Sequence, residues 1–237
     1  MLILVLGKGK TGSLVAEVAR ERGHSVRALD ITENEGAVAL TAPNLAGVDV
    51  VIDFTAPEAA VGNMRAVLSL GGRIVVGTTG WYKHLDEMKA LAIKRNAGLL
   101  YGTNFSIGVQ KLFRLTAELA QLEGYSFSID ETHHVTKLDA PSGTAATLKE
   151  IILSVRPGIE VPINSHRVGD AKGEHIVIAK SDHDVLEIRH NADSRRGFAE
   201  GAVRGAEWLA GKAGAAAESG AAARSGAWEF REIFPQL

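Results

Sequence analysis

The six residues Gly7-Lys8-Gly9-Lys10-Thr11-Gly12 limit the fold of this chain more than any other stretch. They follow a continuous apolar run, Leu2-Ile3-Leu4-Val5-Leu6, of the kind found in strands covered on both faces. From Ser13 to Arg22 the pattern turns helical, with Leu14, Val15 and Val18 on one side. Glycines at G-x-G-x-x-G spacing allow a tight turn out of the strand and a close backbone approach to a pyrophosphate, which then faces the helix N-terminus. Gly23 ends the helix, and Ser25–Asp30 reads as a second strand whose terminal acid stands near the distance expected for gripping ribose hydroxyls. Glycines serving packing alone would account for the turn, but strand, helix and acid together favour a dinucleotide site. A phosphate-binding loop built on Gly9-Lys10-Thr11 fails because Leu4 holds the position of its first glycine.

The alternation continues. Val48–Phe54 reads as a strand and Pro57–Leu70 as a helix with proline in its first turn. Arg73–Gly77 is a strand, a helical stretch runs to about Asn96, and Gly98–Tyr101 is a further strand. Strands alternating with helices predict a parallel, doubly wound sheet, in which ligands sit outside the carboxyl ends of the strands. Thr78-Thr79 and Thr103-Asn104 fall at those ends. Turn chemistry alone would use such residues; their repeated position favours cofactor contact.

Past a helix at Val109–Leu122 the rhythm changes. Tyr125, Phe127 and Ile129 alternate with Ser126, Ser128 and Asp130, as in a strand with one buried face. It leads into Glu131-Thr132-His133-His134-Val135-Thr136-Lys137 and then Pro141-Ser142-Gly143-Thr144. Neighbouring residues of an extended chain point to opposite sides, so His133 and His134 take different tasks. A helix follows to Val155, and its first N–H groups, near Gly143 and Thr144, suit an anionic oxygen. A metal site is disfavoured, since third and fourth ligands are not evident and Lys137 repels a cation. A merely hydrogen-bonded histidine pair is the bland alternative. Ser165–Gly169 and Gly173-Glu174-His175 read as strand ends and turns, and His175–His190 as an antiparallel hairpin, so this half is α+β. His166, Arg167 and His190 are consistent with solvated strand residues. A helix from about Ala199 to Leu209 is expected to return to the first domain. Regular structure is weakly encoded in the Gly- and Ala-rich stretch Ala210–Ala227, while Trp228–Phe234 offers apolar surface to dock the tail.

The chain has 237 residues, enough for one large or two small domains. A formal charge of -2 gives no general attraction to nucleic acid or anionic membrane. The absence of cysteine excludes disulfides and thiolate metal sites. No apolar run is long enough to span a bilayer, and Met1 leads straight into an apolar strand without a basic signal-type region. A cytoplasmic protein is the expectation.

The segment Glu131-x-His133-His134-x-x-Lys137-x-Asp139-x-Pro141-Ser142-Gly143-Thr144-Ala145 resembles the dihydrodipicolinate reductase family, the 4-hydroxy-tetrahydrodipicolinate reductases of lysine and diaminopimelate synthesis. The resemblance extends through Val51-Ile52-Asp53-Phe54-Thr55-x-Pro57, Gly77-Thr78-Thr79-Gly80, Asn104-Phe105-Ser106-x-Gly108 and His166-Arg167-x-Gly169 with Gly173-Glu174-His175. It implies a Rossmann-like dinucleotide-binding domain over residues 1–105, completed by 197–237, and an α+β substrate-binding and tetramerisation domain over 106–196. It also implies NADH or NADPH as cofactor, a small dicarboxylate as substrate and a homotetramer. Carried onto matching positions, His133 is the proton donor or acceptor, Lys137 a proton donor and His134 a substrate contact. Gly143 and Thr144 receive a carboxylate, and Arg195 matches an arginine near the domain hinge. Gly7, Lys8, Gly9, Lys10, Thr11, Gly12, Asp30, Gly77, Thr78, Thr79, Gly102, Thr103, Asn104 and Phe105 hold the cofactor; no metal is implied. The chain departs from the family in its shorter first glycine loop and in Ile31-Thr32, where some members carry an arginine for the NADP phosphate. Asp30 would repel that phosphate, which favours NADH; Lys8 and Lys10 could offset the repulsion, which keeps NADPH open. The alternatives are a related dehydrogenase of another small dicarboxylate or amino acid, and a non-catalytic dinucleotide sensor.

Overall fold

The computed structural model describes residues 1–212 and 222–236. The chain divides into two units, Met1–Ser106 with Phe198–Leu237, and Ile107–Gly197.

The first unit is built on a six-stranded parallel sheet. Its strands are β1 (Leu2–Leu6), β2 (Ser25–Leu29), β3 (Val50–Asp53), β4 (Arg73–Val76), β5 (Gly98–Tyr101) and a C-terminal strand, Gly226–Glu229. The C-terminal strand lies on the outer edge of β5, and the order continues β4, β3, β1, β2. Between the strands run α1 (Lys10–Glu21), the one-turn α2 (Ala42–Leu45), α3 (Pro57–Ser69) and α4 (Leu85–Lys94). β3 and β5 are buried at every residue and β1 at all but its first, as expected for strands covered on both faces. Among the described residues β2 is an edge strand, and it has no fully buried residue.

Two glycines of the first turn are demanded by the backbone. Gly7 has φ +96°, and a Cβ on Gly12 would stand 1.9 Å from the Gly7 carbonyl oxygen, so α1 starts directly against the end of β1. Later in the chain, the helix Arg196–Leu209 is tied to the end of α1. Arg22 donates to both Glu207 oxygens at 2.8 and 2.6 Å, and His24 Nε2 lies 2.8 Å from Oε1. The strand Gly226–Glu229 was not evident in the sequence, where only docking of the aromatic tail is legible. It pairs with β5 while Trp228 meets the Trp208 ring edge-on at 5.3 Å. The stretch read as weakly ordered, Ala210–Ala227, lies outside the described residues between 213 and 221.

The second unit is a four-stranded mixed sheet covered on one face. Its strands are β6 (Ser126–His133), β7 (Ile163–Arg167), β8 (Glu174–Lys180) and β9 (Val185–Asn191), in the order β7-β6-β8-β9. β6 and β7 are parallel; the other pairs are antiparallel. Helices α5 (Ile107–Leu119) and α6 (Gly143–Val155) lay Val109, Leu112, Phe113, Leu148 and Ile152 against Phe127, Ile129, Val177 and Ala179. The sequence reads Ser165–Gly169 as a strand end and turn. In the structure Ile163–Arg167 is a full edge strand, hidden from periodicity because Ile163 is its sole apolar residue. No helix among the described residues is long and apolar enough to cross a membrane.

Candidate active site

The alternation of β6 builds the site in the second unit. Phe127, Ile129, Glu131 and His133 face one side and are all buried, while Ser128, Asp130 and Thr132 face the other. The first two of the buried set belong to the apolar core; the last two put a carboxylate and an imidazole where that core would continue. Strand register supplies their neighbours. Glu131 stands opposite Ser165 on β7 and His175 on β8, and His175 stands opposite His190 on β9. His133 is opposite Arg167.

Glu131 Oε1 accepts the Ser142 backbone N–H at 3.1 Å and Arg167 Nη2 at 3.1 Å. Its Oε2 lies 3.0 Å from His133 Nδ1 and 3.9 Å from His175 Nε2, contacts of ion-pair range that are not aligned as hydrogen bonds. The two rings meet edge-on, 5.0 Å between centroids. Burial opposes ionisation of Glu131, but hydrogen bonds from Ser142, Ser165 and Arg167 outweigh it and hold the carboxyl at about 2. Burial lowers the His133 pKa; Lys137 and Arg167 add to that effect, and Glu131 and Asp139 oppose it. His175 is pushed down to about 4, chiefly by burial and then by neighbouring His133. Both imidazoles are therefore neutral near pH 7.

The loop after β6 carries the remaining chemistry. His134 Nδ1 lies 2.7 Å from Thr136 Oγ1. Lys137 Nζ donates to both Asp139 oxygens, at 2.7 and 2.8 Å. Arg167 fastens this loop from β7 by donating to the carbonyls of Lys137 at 3.3 Å and Asp139 at 2.5 Å. After the cis Ala140–Pro141 peptide, Ser142 caps α6: its Oγ accepts the Ala145 N–H at 3.2 Å and lies 3.2 Å from His175 Nε2. Gly143, the first residue of α6, is exposed, and Thr144 is half-buried.

The fold thus gathers His133, His134, Lys137, Gly143 and Thr144 along one strand end, loop and helix start. Arg195 lies elsewhere, half-buried in the turn before the helix Arg196–Leu209. Sequence reasoning passed over Glu131, Ser142, Arg167 and His175 as site residues. A signal existed for two of them: Glu131 and His175 each sit in phase with buried neighbours, Phe127-Ile129 and Val177-Ala179. Glu131, His133 and His175 also bring three metal-type donors within 4.8 Å of one another, which the sequence did not reveal. The carboxylate already carries a guanidinium on Oε1, and Lys137 and Arg167 act on His133, positive charge that opposes a cation in the cluster.

The first unit fits a dinucleotide at the carboxyl ends of β1 and β2. Gly9 is the N-cap of α1, and a Cβ there would meet nothing within 4 Å, which leaves the helix N-terminus open to a phosphate. Asp30 follows β2 directly, beside a pocket lined by Gly7, Ile31, Asn34, Thr55 and Asn63. Lys8 is engaged: its Nζ meets Glu33 Oε2 at 2.5 Å, and the same oxygen accepts the Asp30 N–H at 2.7 Å. Lys10 and Thr11 open α1. Gly77, Thr78 and Thr79 follow β4, and Gly102, Thr103, Asn104 and Phe105 follow β5. Three of these side chains have structural partners, and one is Asn104, whose Oδ1 accepts the Ser106 N–H at 2.8 Å. Thr78 Oγ1 donates to buried Asp53 at 2.7 Å, and the Phe105 ring packs on Phe230, 4.5 Å between centroids. Asp53 is the centre of a network that the sequence did not display. It also accepts Thr55 N–H and Oγ1, at 3.0 and 2.7 Å, and Asn63 Nδ2 at 2.8 Å. Asn63 Oδ1 in turn accepts Asn34 Nδ2 at 2.9 Å.

Comparison with known proteins agrees with both halves of this description. The family model described as dihydrodipicolinate reductase, N-terminus, matches residues 1–105, and the model of the C-terminus matches residues 108–219. A 4-hydroxy-tetrahydrodipicolinate reductase of Christiangramia forsetii is 37% identical over 231 residues, covering 90% of this chain and 94% of the relative. One from Natronomonas pharaonis is 36% identical over 235 residues, covering 89% and 95%. Among solved structures, dipicolinate-bound dihydrodipicolinate reductase from Paenisporosarcina sp. TG-14 shares the fold, with a TM-score of 0.77 at 21% identity over 100% of this chain and 99% of that one. With both family models matched in order, over a nucleotide-binding sheet and a second unit that holds the histidine–lysine loop, the chain belongs to the dihydrodipicolinate reductase family.

Proposed function

We propose that this chain reduces 4-hydroxy-tetrahydrodipicolinate to tetrahydrodipicolinate, as an NAD(P)H-dependent oxidoreductase of lysine and diaminopimelate biosynthesis. Reduced nicotinamide, when bound, supplies a hydride to C4 of the cyclic imine dicarboxylate. The 4-hydroxyl leaves as water, so one hydride and one proton are consumed for each substrate. Gly7 to Gly12 and Asp30 hold the dinucleotide, with the backbone after β4 and β5 contributing through Gly77–Thr79 and Gly102–Phe105.

In the second unit the substrate's negative charge is met by the α6 N-terminus at Gly143 and Thr144 and by Lys137. A substrate anion replaces Asp139 as the partner of the ammonium, which is then placed to deliver the proton. His133, neutral near pH 7, presents an imidazole to the reacting group, and His134 contacts the substrate from the other side of the chain. Arg195 is assigned to the substrate on its match to the family position. The observation that carries this reading is that one buried carboxylate, Glu131, meets His133 and the capped start of α6 and, through Arg167, the loop that carries Lys137. A dianionic substrate calls for such a set together; dinucleotide sensing calls for none of it.

The assembly belongs to the same reading. The face of β6–β9 turned away from α5 and α6 carries Ile176 and Ile178 half-buried, apolar surface suited to a second copy, and we expect a homotetramer by light scattering. We assign the protein to the cytoplasm on this proposed biosynthetic role. The decisive assay supplies the condensation product of pyruvate and aspartate semialdehyde to the purified chain. NADH or NADPH should be oxidised only when that product is present, and no oxidation of either would sink the assignment. Lys137→Ala should lower turnover by about two orders of magnitude and leave cofactor affinity intact. A comparable loss of cofactor binding would assign Lys137 to the dinucleotide instead.

A further inference from the structure

We propose that Glu131 is the positioning residue of this site: one buried carboxylate that sets the His133 ring, the Lys137 loop and the start of α6 in a single arrangement. The inference rests on the activity proposed above. Glu131 has no exposed surface, on a strand face where Phe127 and Ile129 continue an apolar core. An apolar residue there would pack without the cost of burying a charge, so packing does not account for the acid. What it contacts does. Through Oε1 it holds Arg167, whose Nε grips the Lys137 carbonyl and whose same Nη2 grips the Asp139 carbonyl, in the loop after β6. Through the same oxygen it holds the N–H of Ser142, the residue that caps α6 and touches His175. Its Oε2 faces His133 Nδ1 at 3.0 Å. That contact keeps Nδ1 turned into the sheet and leaves Nε2, beside Gly173, for the reacting group. Each group assigned to substrate chemistry in this unit, apart from His134 and Arg195, thus hangs on one side chain.

The charge of Glu131 acts along with its geometry. His133 is faced by Glu131 on its own strand, by His175 on β8, by Arg167 on β7 and by Lys137 and Asp139 in the loop. Removing this anion leaves only Asp139 against the cations, so the limb of the pH–rate profile that reports His133 moves to lower pH. This holds whether His133 works as acid or base.

Glu131→Gln keeps the volume and one acceptor and removes the charge. With saturating NADH it should lower kcat about 100-fold and shift that limb by about one pH unit to the acid side, while the KM for NADH stays within about twofold. Glu131→Asp keeps the charge at a shorter reach; it should recover the wild-type position of the limb with part of the rate. A Glu131→Gln enzyme within about threefold of wild-type kcat and with an unmoved limb would overturn the positioning role, yet leave the assigned reaction standing. Absence of turnover in the wild-type chain would instead remove the reaction itself. A measurement without any variant guards against misfolding: nitrogen NMR of the wild-type histidine rings should show His133 as the Nδ1–H tautomer, and an Nε2–H tautomer would overturn the proposal.

Discussion

Replacing Asp53 by asparagine should destabilise the first unit by about 2–3 kcal/mol, because the change leaves one buried donor without an acceptor. Asp53 has no exposed surface and receives four hydrogen bonds. In Asp53→Asn the retained oxygen can still serve Thr55 and Thr78, but the new NH2 faces the NH2 of Asn63. If Asn63 flips its amide to accept, its own NH2 meets that of Asn34. If Asn34 flips as well, its NH2 meets the Ala39 backbone N–H, which it now satisfies at 3.2 Å through Oδ1 and which cannot turn. The conflict moves along the chain of amides but does not vanish. Asp53→Ala takes the acceptor from the Thr55 and Thr78 hydroxyls and the Asn63 amide, while the Thr55 N–H keeps Thr78 Oγ1 at 2.9 Å, and should cost about 3–4 kcal/mol. All three tryptophans, Trp81, Trp208 and Trp228, lie in the first unit, and Trp81 donates to the Thr78 carbonyl at 2.8 Å. Their fluorescence during urea unfolding therefore reads this unit alone. The Tm should fall by roughly 5–10 °C for the asparagine variant. An Asp53→Asn protein within about 0.5 kcal/mol of wild type would show that the network tolerates a mismatched donor, and the reasoning would fail.

The pH dependence of the second unit should be set by His175, whose folded pKa of about 4 lies below its ordinary 6.5. Between those values the unfolded chain binds a proton that the native state refuses. Stability therefore rises with pH through this window, by about 3 kcal/mol, and is fully present above it. His133 and His190, also lowered, act in the same direction, and urea titrations followed by circular dichroism from pH 4 to 7 should show the slope. Glu131, held at about 2, keeps its contribution at pH 5 and loses it only as pH falls from the ordinary carboxylate range through 2, so a loss beginning above pH 5 belongs to the histidines. Gly9→Ala should lower urea stability by no more than about 1 kcal/mol, as alanine is the poorer N-cap, and weaken NADH binding about tenfold or more, since only a ligand would meet the new methyl. Gly12→Ala, with a methyl driven into the Gly7 carbonyl, should lose both stability and binding. Glu33→Gln should free Lys8 and lower the KM for NADPH several-fold relative to NADH; an unchanged ratio would mean that the Lys8–Glu33 pair does not set cofactor choice.

Much of the architecture was readable because apolar periodicity and glycine spacing are local properties. The run Leu2–Leu6 followed by Gly7-x-Gly9-x-x-Gly12 defines its strand, turn and helix within a few residues, and the structure places β1, the turn and α1 there. The same holds for the alternating face of β6 and for the hairpin of β8 and β9. Elements with a thin local signal were missed. Ile163–Arg167 has one apolar residue and becomes a strand because β6 offers it a partner, and Gly226–Glu229 likewise forms against β5.

The site divides along the same line. His133, His134, Lys137, Gly143 and Thr144 stand close together in sequence, so their types and spacing alone raised the idea of proton and carboxylate chemistry. The partners that give those groups their arrangement come from elsewhere: Arg167 from β7, His175 from β8, and for the cofactor side Asn34 and Asn63 gathered on Asp53. Periodicity tells which face of its own strand a residue occupies. Which strand lies alongside, and in what register, is decided by the packing of the whole sheet against its helices. The sequence by itself therefore determined the fold class and the chemical character of the site; only the tertiary structure decided that a buried glutamate would stand between the two histidines.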